Sequence, residues 1–183
     1  MKLSVVVLIS GRGSNLKSVL EAAQLPDSRF QIVGVISNVP GAGGLDHAKA
    51  HDVPAFVIDH KAFSDRAAFE AALASKINQL APGLICLAGF MRILSGDFVR
   101  AWRDRLINIH PSLLPSFKGL NTHARVLDAG VRFTGCTVHF VRPETDDGPI
   151  IIQAAVPVYA DDSEATIAVR VLAEEHRILP LAL

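Results

Sequence analysis

The segment Asn108-Ile109-His110-Pro111 sets an amide and an imidazole two residues apart on a run that reads as a strand. Side chains alternate along a strand, so Asn108 and His110 share one face while Ile107 and Ile109 share the other. Pro111 holds His110 in an extended backbone and removes a sheet donor, which ends the strand there. An amide N–H can hold a developing oxyanion. A protonated imidazole can do the same, or pass a proton to a leaving amine. On its own, an Asn-x-His pair is more often a hydrogen-bonded core histidine beside a turn-capping amide. Two carboxylates, Asp146 and Asp147, stand before Gly148-Pro149 in a loop ahead of an apolar run, where solvated turn acids are common.

A second candidate is Ser10-Gly11-Arg12-Gly13-Ser14-Asn15, between a buried apolar run and a helical pattern. Glycines there let backbone N–H groups approach an anion, and the helix N-terminus adds positive partial charge. The bland alternative is a tight strand-to-helix turn that needs glycine for its backbone alone. The pattern differs from a dinucleotide fingerprint. Leu16 holds the third glycine's place, and the next strand ends in Ser37-Asn38 without an acid for a ribose. No Gly-Lys-Ser/Thr follows, which excludes a Walker-type loop. A monophosphate fits this loop better than a dinucleotide.

The elements that must position these residues alternate. Val5 to Ile9, Phe30 to Ile36, Ala55 to Ile58, Leu84 to Ala88 and Leu106 to Ile109 read as buried strands. Helical patterns lie between them. One follows Leu16 with Ser14 or Asn15 as its cap, a short one spans Asp46 to Ala50, and one carries Phe69, Leu73, Ile77 and Leu80 behind Ser64 or Asp65. A helix near Thr122 to Ala129 stops at Gly130. Cys136 to Val141 and Ile150 to Val156 follow as strands that can pair with each other, since no helix separates them. The last helix runs from about Ser163 to Leu179, with Pro180 after it. This order predicts an α/β fold: an open, mostly parallel Rossmann-like sheet with helices on both faces and a late antiparallel pair. Residues 1–183 read as a single domain. Ligands then bind beyond the carboxyl ends of the strands, where Gly11–Asn15, Gly89–Leu94 and Asn108–Pro111 fall.

Composition narrows the classes. Lys plus Arg and Asp plus Glu both number 18, so the chain lacks the basic balance of a nucleic-acid or anionic-membrane binder. The two cysteines, Cys86 and Cys136, sit in apolar runs, which fits a reducing cytoplasm. No Cys-x-x-Cys or His-Glu-x-x-His spacing suggests a metal.

Four stretches together resemble the folate-dependent formyltransferases over nearly the whole chain. They are Ser10–Asn15, Ala88-Gly89-Phe90-Met91-Arg92-Ile93-Leu94, Asn108-Ile109-His110-Pro111-Ser112-Leu113-Leu114-Pro115, and Gly135-Cys136-Thr137-Val138-His139-Phe140-Val141. The Asn-Ile-His-Pro-Ser-Leu-Leu-Pro run is specific for the wider group. The glycine loop and the Met-Arg-Ile-Leu segment point to the branch that formylates glycinamide ribonucleotide in purine synthesis. The resemblance implies a catalytic trio of Asn108, His110 and Asp146, the last matched through the Asp-x-Gly-Pro spacing, with Asp147 as its rival. It implies that Gly13, Ser14 and Asn15, with Leu172, Ala173, Glu174 and Glu175, hold the ribonucleotide. Arg66, Met91, Arg92, Ile93 and Leu94, with Asn108, would hold the folate.

What the resemblance implies is formyl transfer from 10-formyltetrahydrofolate, a co-substrate, to a small amine without a metal. Asp146 would favour the imidazolium form of His110, and His139 would border the site in a supporting role. The partners expected are these small molecules, with no nucleic acid and no membrane, in a monomer or homodimer. A formyltetrahydrofolate hydrolase would use the same trio with water as acceptor. A methionyl-tRNA formyltransferase would be longer and carry a tRNA-binding domain. A ligand-sensing module would not need the trio intact. The family commonly carries a further C-terminal segment after the last helix. A cis peptide bond at Leu114-Pro115 is a separate expectation, from two prolines bracketing a loop beside the catalytic strand.

Overall fold

The structure is a computed structural model describing residues 1–183. Seven strands form one sheet in the order β3-β2-β1-β4-β5-β6-β7. They are β1 (Leu3–Ile9), β2 (Phe30–Ser37), β3 (Ala55–Val57), β4 (Leu84–Leu87), β5 (Leu106–His110), β6 (Phe133–Phe140) and β7 (Ile150–Pro157). The first five run parallel to their neighbours; β6 and β7 turn antiparallel. The helices are α1 (Ser14–Ala23), α2 (Gly44–Ala50), α3 (Arg66–Leu80), α4 (Gly96–Ala101), α5 (Thr122–Asp128) and α6 (Glu164–Leu181), with a 3-10 turn at His60–Ala62.

The continuous apolar strands are explained by cover on both faces. In β1, Val5, Val7 and Ile9 join a core with Leu16, Val19 and Leu20 of α1 and Ile167, Val171 and Ile178 of α6. Val6 and Leu8 point the other way, to Phe69, Leu73 and Ile77 of α3 and Phe98 and Trp102 near α4. Ile107 and Ile109 belong to the first core and Leu106 to the second. Asn108 and His110 therefore emerge on the α3–α4 face, at the carboxyl end of β5.

The architecture agrees with the expectation, and several boundaries differ. The helix α4 was not expected: it is six residues long, too short to show a period, and its start is set by the Ser95 hydroxyl accepting from the Phe98 amide at 3.2 Å. Gly13 rather than Ser14 or Asn15 occupies the cap position of α1, with φ at +75°, and no side chain caps that helix. At α3 the cap is Asp65, which accepts from the Ala68 amide. Strand β6 begins at Phe133 instead of Cys136, because Phe133 to Gly135 pair with Ala155 to Pro157 of β7. Pro180 lies inside the last turn of α6, so the helix continues past it without the bond that its N–H would have made to the carbonyl four residues back. The Leu114-Pro115 bond is cis, as expected.

Candidate active site

Strand β6 lies antiparallel to β5 with Asn108 opposite His139 and His110 opposite Thr137. Directly opposed residues in such a pair point to the same face. Asn108, His110, Thr137 and His139 thus form one polar cluster at the ligand end of the sheet. Thr137 spends its hydroxyl on the loop that follows β5. It donates to the Ser112 carbonyl at 2.7 Å and accepts from the Leu114 amide at 3.1 Å. Gln153 of β7 donates to the Leu114 carbonyl at 2.9 Å. The Pro111–Pro115 loop is held by the antiparallel pair beside it.

Asp146 completes the group. Its Oδ2 stands 3.4 Å from His110 Nδ1 and its Oδ1 stands 3.8 Å from His139 Nε2. The Gly119 amide donates to Oδ2 at 2.8 Å, and Asp146 sits at φ +52°. Behind it, a Cβ on Gly148 would overlap the Phe140 carbonyl oxygen, so only glycine lets the loop close this tightly on β6. Asp147 faces away and pairs with Lys118. Of the two carboxylates, Asp146 is the one beside the histidines.

The other ring nitrogen of His110, Nε2, lies 3.1 Å from the Phe117 carbonyl, which requires an N–H donor there. Both nitrogens of this buried ring face oxygen atoms, one on the Phe117 carbonyl and one on Asp146. His139 behaves differently. Burial holds its pKa below the ordinary 6.5, against the raising effects of the Phe140 carbonyl and Asp146 and with a small lowering one from His110. Its Nδ1 donates to the Phe140 carbonyl at 3.0 Å. That leaves Nε2 as an acceptor for the Asn108 Nδ2 group at 3.4 Å. A neutral His139 so fixes which end of the Asn108 amide is the donor.

The glycine loop lies at the end of β1. Uncapped, the first amides of α1 face out toward any anion placed there. The buried Asn15 donates to Glu175 Oε2 at 2.7 Å, while its own Oδ1 has no partner. Burial is the main reason the Glu175 pKa is raised, and the Asn15 N–H opposes it. Glu175 thus joins α6 to the loop. The side chains of Ala173 and Glu174 do not: they line a separate groove with Pro157, Tyr159 and Arg170, and Glu174 pairs with Arg177 at 2.6 Å. Successive helix positions turn by about 100°, so neighbours of Glu175 cannot share its direction. Leu172 is half-buried.

Residues 3–183 match the family model described as formyl transferase. The chain belongs to the formyl transferase family. It is 44% identical to the phosphoribosylglycinamide formyltransferase of Escherichia coli (strain K12), covering 99% of this chain and 85% of that protein. It is 52% identical to the trifunctional purine biosynthetic protein adenosine-3 of Bos taurus, over all of this chain but only 18% of that longer protein. A crystal structure of phosphoribosylglycinamide formyltransferase from Brucella melitensis superposes with a TM-score of 0.95 at 49% identity, covering 100% of this chain and 94% of that one.

In this formyl transferase the segment after β4 is not core. Met91 and Ile93 are 75% and 76% exposed, Arg92 is exposed, and only Leu94 packs against the α3–α4 core. Two large apolar side chains held in water beside a polar cluster suit a flat aromatic ligand better than a structural role. Arg66 opens α3, exposed, one turn ahead of Glu70 on the same helix face. Glu70 in turn bonds the Ser95 amide at 2.7 Å, just past Leu94. Sequence reasoning missed Phe117 and Gly119, which act through backbone groups and leave no side-chain signal. It also missed Glu70, whose place on a helix otherwise facing the core was the available clue. Both cysteine thiols are pushed up to about 12 by burial and take no part. No helix is long and apolar enough to cross a membrane.

Proposed function

We propose that this chain transfers the formyl group of 10-formyltetrahydrofolate to the amino group of glycinamide ribonucleotide, giving formylglycinamide ribonucleotide and tetrahydrofolate. The observation that carries the reading is the convergence of Asn108, His110 and Asp146, with distances of 3.4 Å from imidazole to carboxylate and from amide to His139. Homology to phosphoribosylglycinamide formyltransferase over the whole chain supports the choice of substrates.

The amine attacks the formyl carbon, and a C–N bond forms as negative charge grows on the formyl oxygen. The Asn108 amide, aimed by His139, donates to that oxygen, and the imidazolium of His110 supplies positive charge beside it. Asp146 stabilises the charged ring. When the bond from carbon to the folate nitrogen breaks, that nitrogen needs a proton, and the incoming amine has one to lose. His110, directly or through water, carries the exchange, so the net reaction consumes no proton. Gly13, Ser14 and Asn15 hold the ribonucleotide phosphate end, with Glu175 beside them. Arg66 and Met91 to Leu94 hold the folate. The buried free thiols fit a reducing cytoplasm as the place of action.

A labelled formyl donor tests this. With glycinamide ribonucleotide present, label moves to the ribonucleotide; without it, little is released. Free formate at the same rate without the amine would mean the hydrolase reading, and no turnover in either case would mean a binding module.

A further inference from the structure

The two substrate regions lie on different loops, yet one hydroxyl joins them. Ser10 follows β1 and opens the glycine loop. Its Oγ accepts from the Met91 amide at 2.7 Å, and its own amide donates to the Gly89 carbonyl at 3.1 Å. The same Oγ donates to Asn38 Oδ1 at 2.5 Å. Asn38 is 2% exposed and follows β2, at the place where a dinucleotide-binding sheet would carry an acid. Its carbonyl accepts from His60 Nδ1 at 2.8 Å, and its amide donates to the Ile9 carbonyl at 3.3 Å. The Met91 N–H, the Ser10 O–H and Asn38 Oδ1 make a relay in which each bond polarises the next. The far end of the segment is tied separately. Glu70, 7% exposed, accepts from both the amide and the hydroxyl of Ser95.

We propose that Ser10 is a positioning residue that fixes the Met91–Leu94 segment to the glycine loop, so that the folate and ribonucleotide sites share one anchor. Glu70 is the second post of the same segment and serves the folate side only. Leu94 alone packs on the core, while Met91, Arg92 and Ile93 stand in water, so the placing of that stretch depends on the hydrogen bonds at the ends of the strap. The inference rests on the assignment of Met91–Leu94 to folate and Gly13–Asn15 to the ribonucleotide.

Steady-state kinetics with each substrate varied in turn separates the roles. Ser10→Ala should raise KM for both substrates by about tenfold with kcat within about threefold, the size expected for one lost buried hydrogen bond to each side. Ser10→Thr keeps the hydroxyl and should restore both KM values. Glu70→Gln should raise KM for folate alone. If Ser10→Ala moves neither KM, or only one, the shared anchor is overturned. It is also overturned if Glu70→Gln raises both equally, because disturbing the strap would then suffice. Amide exchange on the wild-type protein gives a test independent of any variant's folding: the Met91 N–H should be protected despite its exposed side chain, and fast exchange contradicts the relay. Wild-type protein that transfers no formyl to glycinamide ribonucleotide removes the underlying assignment and this inference together. Active wild type with an indifferent Ser10→Ala removes the inference alone.

Discussion

From β3 across to β4 the strands run parallel, and what they deliver to the ligand end is loops: the uncapped amides of α1 after β1 and the Met91–Leu94 strap, with its exposed Met91 and Ile93, after β4. From β5 to β7 the neighbours run antiparallel, and what arrives is side chains. Asn108 and His110 sit opposite His139 and Thr137, so four polar groups crowd one face without any loop to place them. Parallel strands all end together and need turns to build a site. An antiparallel partner starts where its neighbour ends, so it brings its own side chains into register there. Holding ligands with backbone tolerates side-chain change. Chemistry done by strand side chains depends on single residues.

That contrast predicts where the molecule breaks most easily. The largest effect belongs to the antiparallel side. Asn108→Ala should slow turnover by about 10²–10³, the usual cost of a lost oxyanion donor, with both KM values little changed. A similar loss appearing mainly in KM would move Asn108 from chemistry to binding.

On the parallel side, backbone is what matters, so the sensitive position is a glycine. A Cβ at Gly13 would lie 2.5 Å from the Gly44 Cα, at a φ of +75°. Gly13→Ala should cost about 1–2 kcal/mol for the left-handed backbone and about 1–3 more for the overlap, read by urea unfolding. It should also raise KM for the ribonucleotide while leaving that for folate unchanged. If KM for folate rose instead, the division of labour between the loops would be wrong.

The smallest effect is on stability with pH. His139 is held below its ordinary 6.5 by burial, as are His123 and His176. Each binds fewer protons folded than unfolded, so its contribution is full above about pH 6.5 and is lost as pH falls below it toward the folded value. Glu175, raised by burial from 4.5, acts oppositely: it adds stability as pH falls through its raised value toward 4.5. Three histidines against one acid should give a melting temperature that drops between pH 7 and pH 5.5. His139→Gln should flatten that drop. A steeper drop instead would mean that folding makes His139 hold its proton more tightly, and the Asn108 amide would lose its acceptor.

The same division decides how much was legible in the sequence. The parallel strands announced themselves as unbroken β-branched runs because both faces are covered, and glycines marked the loop after β1. The alternation of Asn108 and His110 with isoleucines placed both on one face before any coordinates. His139 was legible only as a strand residue on the right parity, since the register that sets it against Asn108 is fixed by β6–β5 pairing across distant sequence. Phe117 and Gly119 could not be read at all, because a carbonyl and an amide carry no residue signature. In the four-residue stretch on α6 only Glu175 bonds Asn15, while the side chains of Ala173 and Glu174 line a separate groove, a split that a run of consecutive residues does not reveal.

The central claim is that the buried imidazole beside Asp146 performs the chemical step. Single-turnover transfer by His110→Ala, with both substrates saturating, tests it most directly. A chemical step slowed by at least about 10², with folate binding largely kept, is the expected result. A rate near that of the wild type would show that the reaction does not pass through His110, and the assignment of this site would fall.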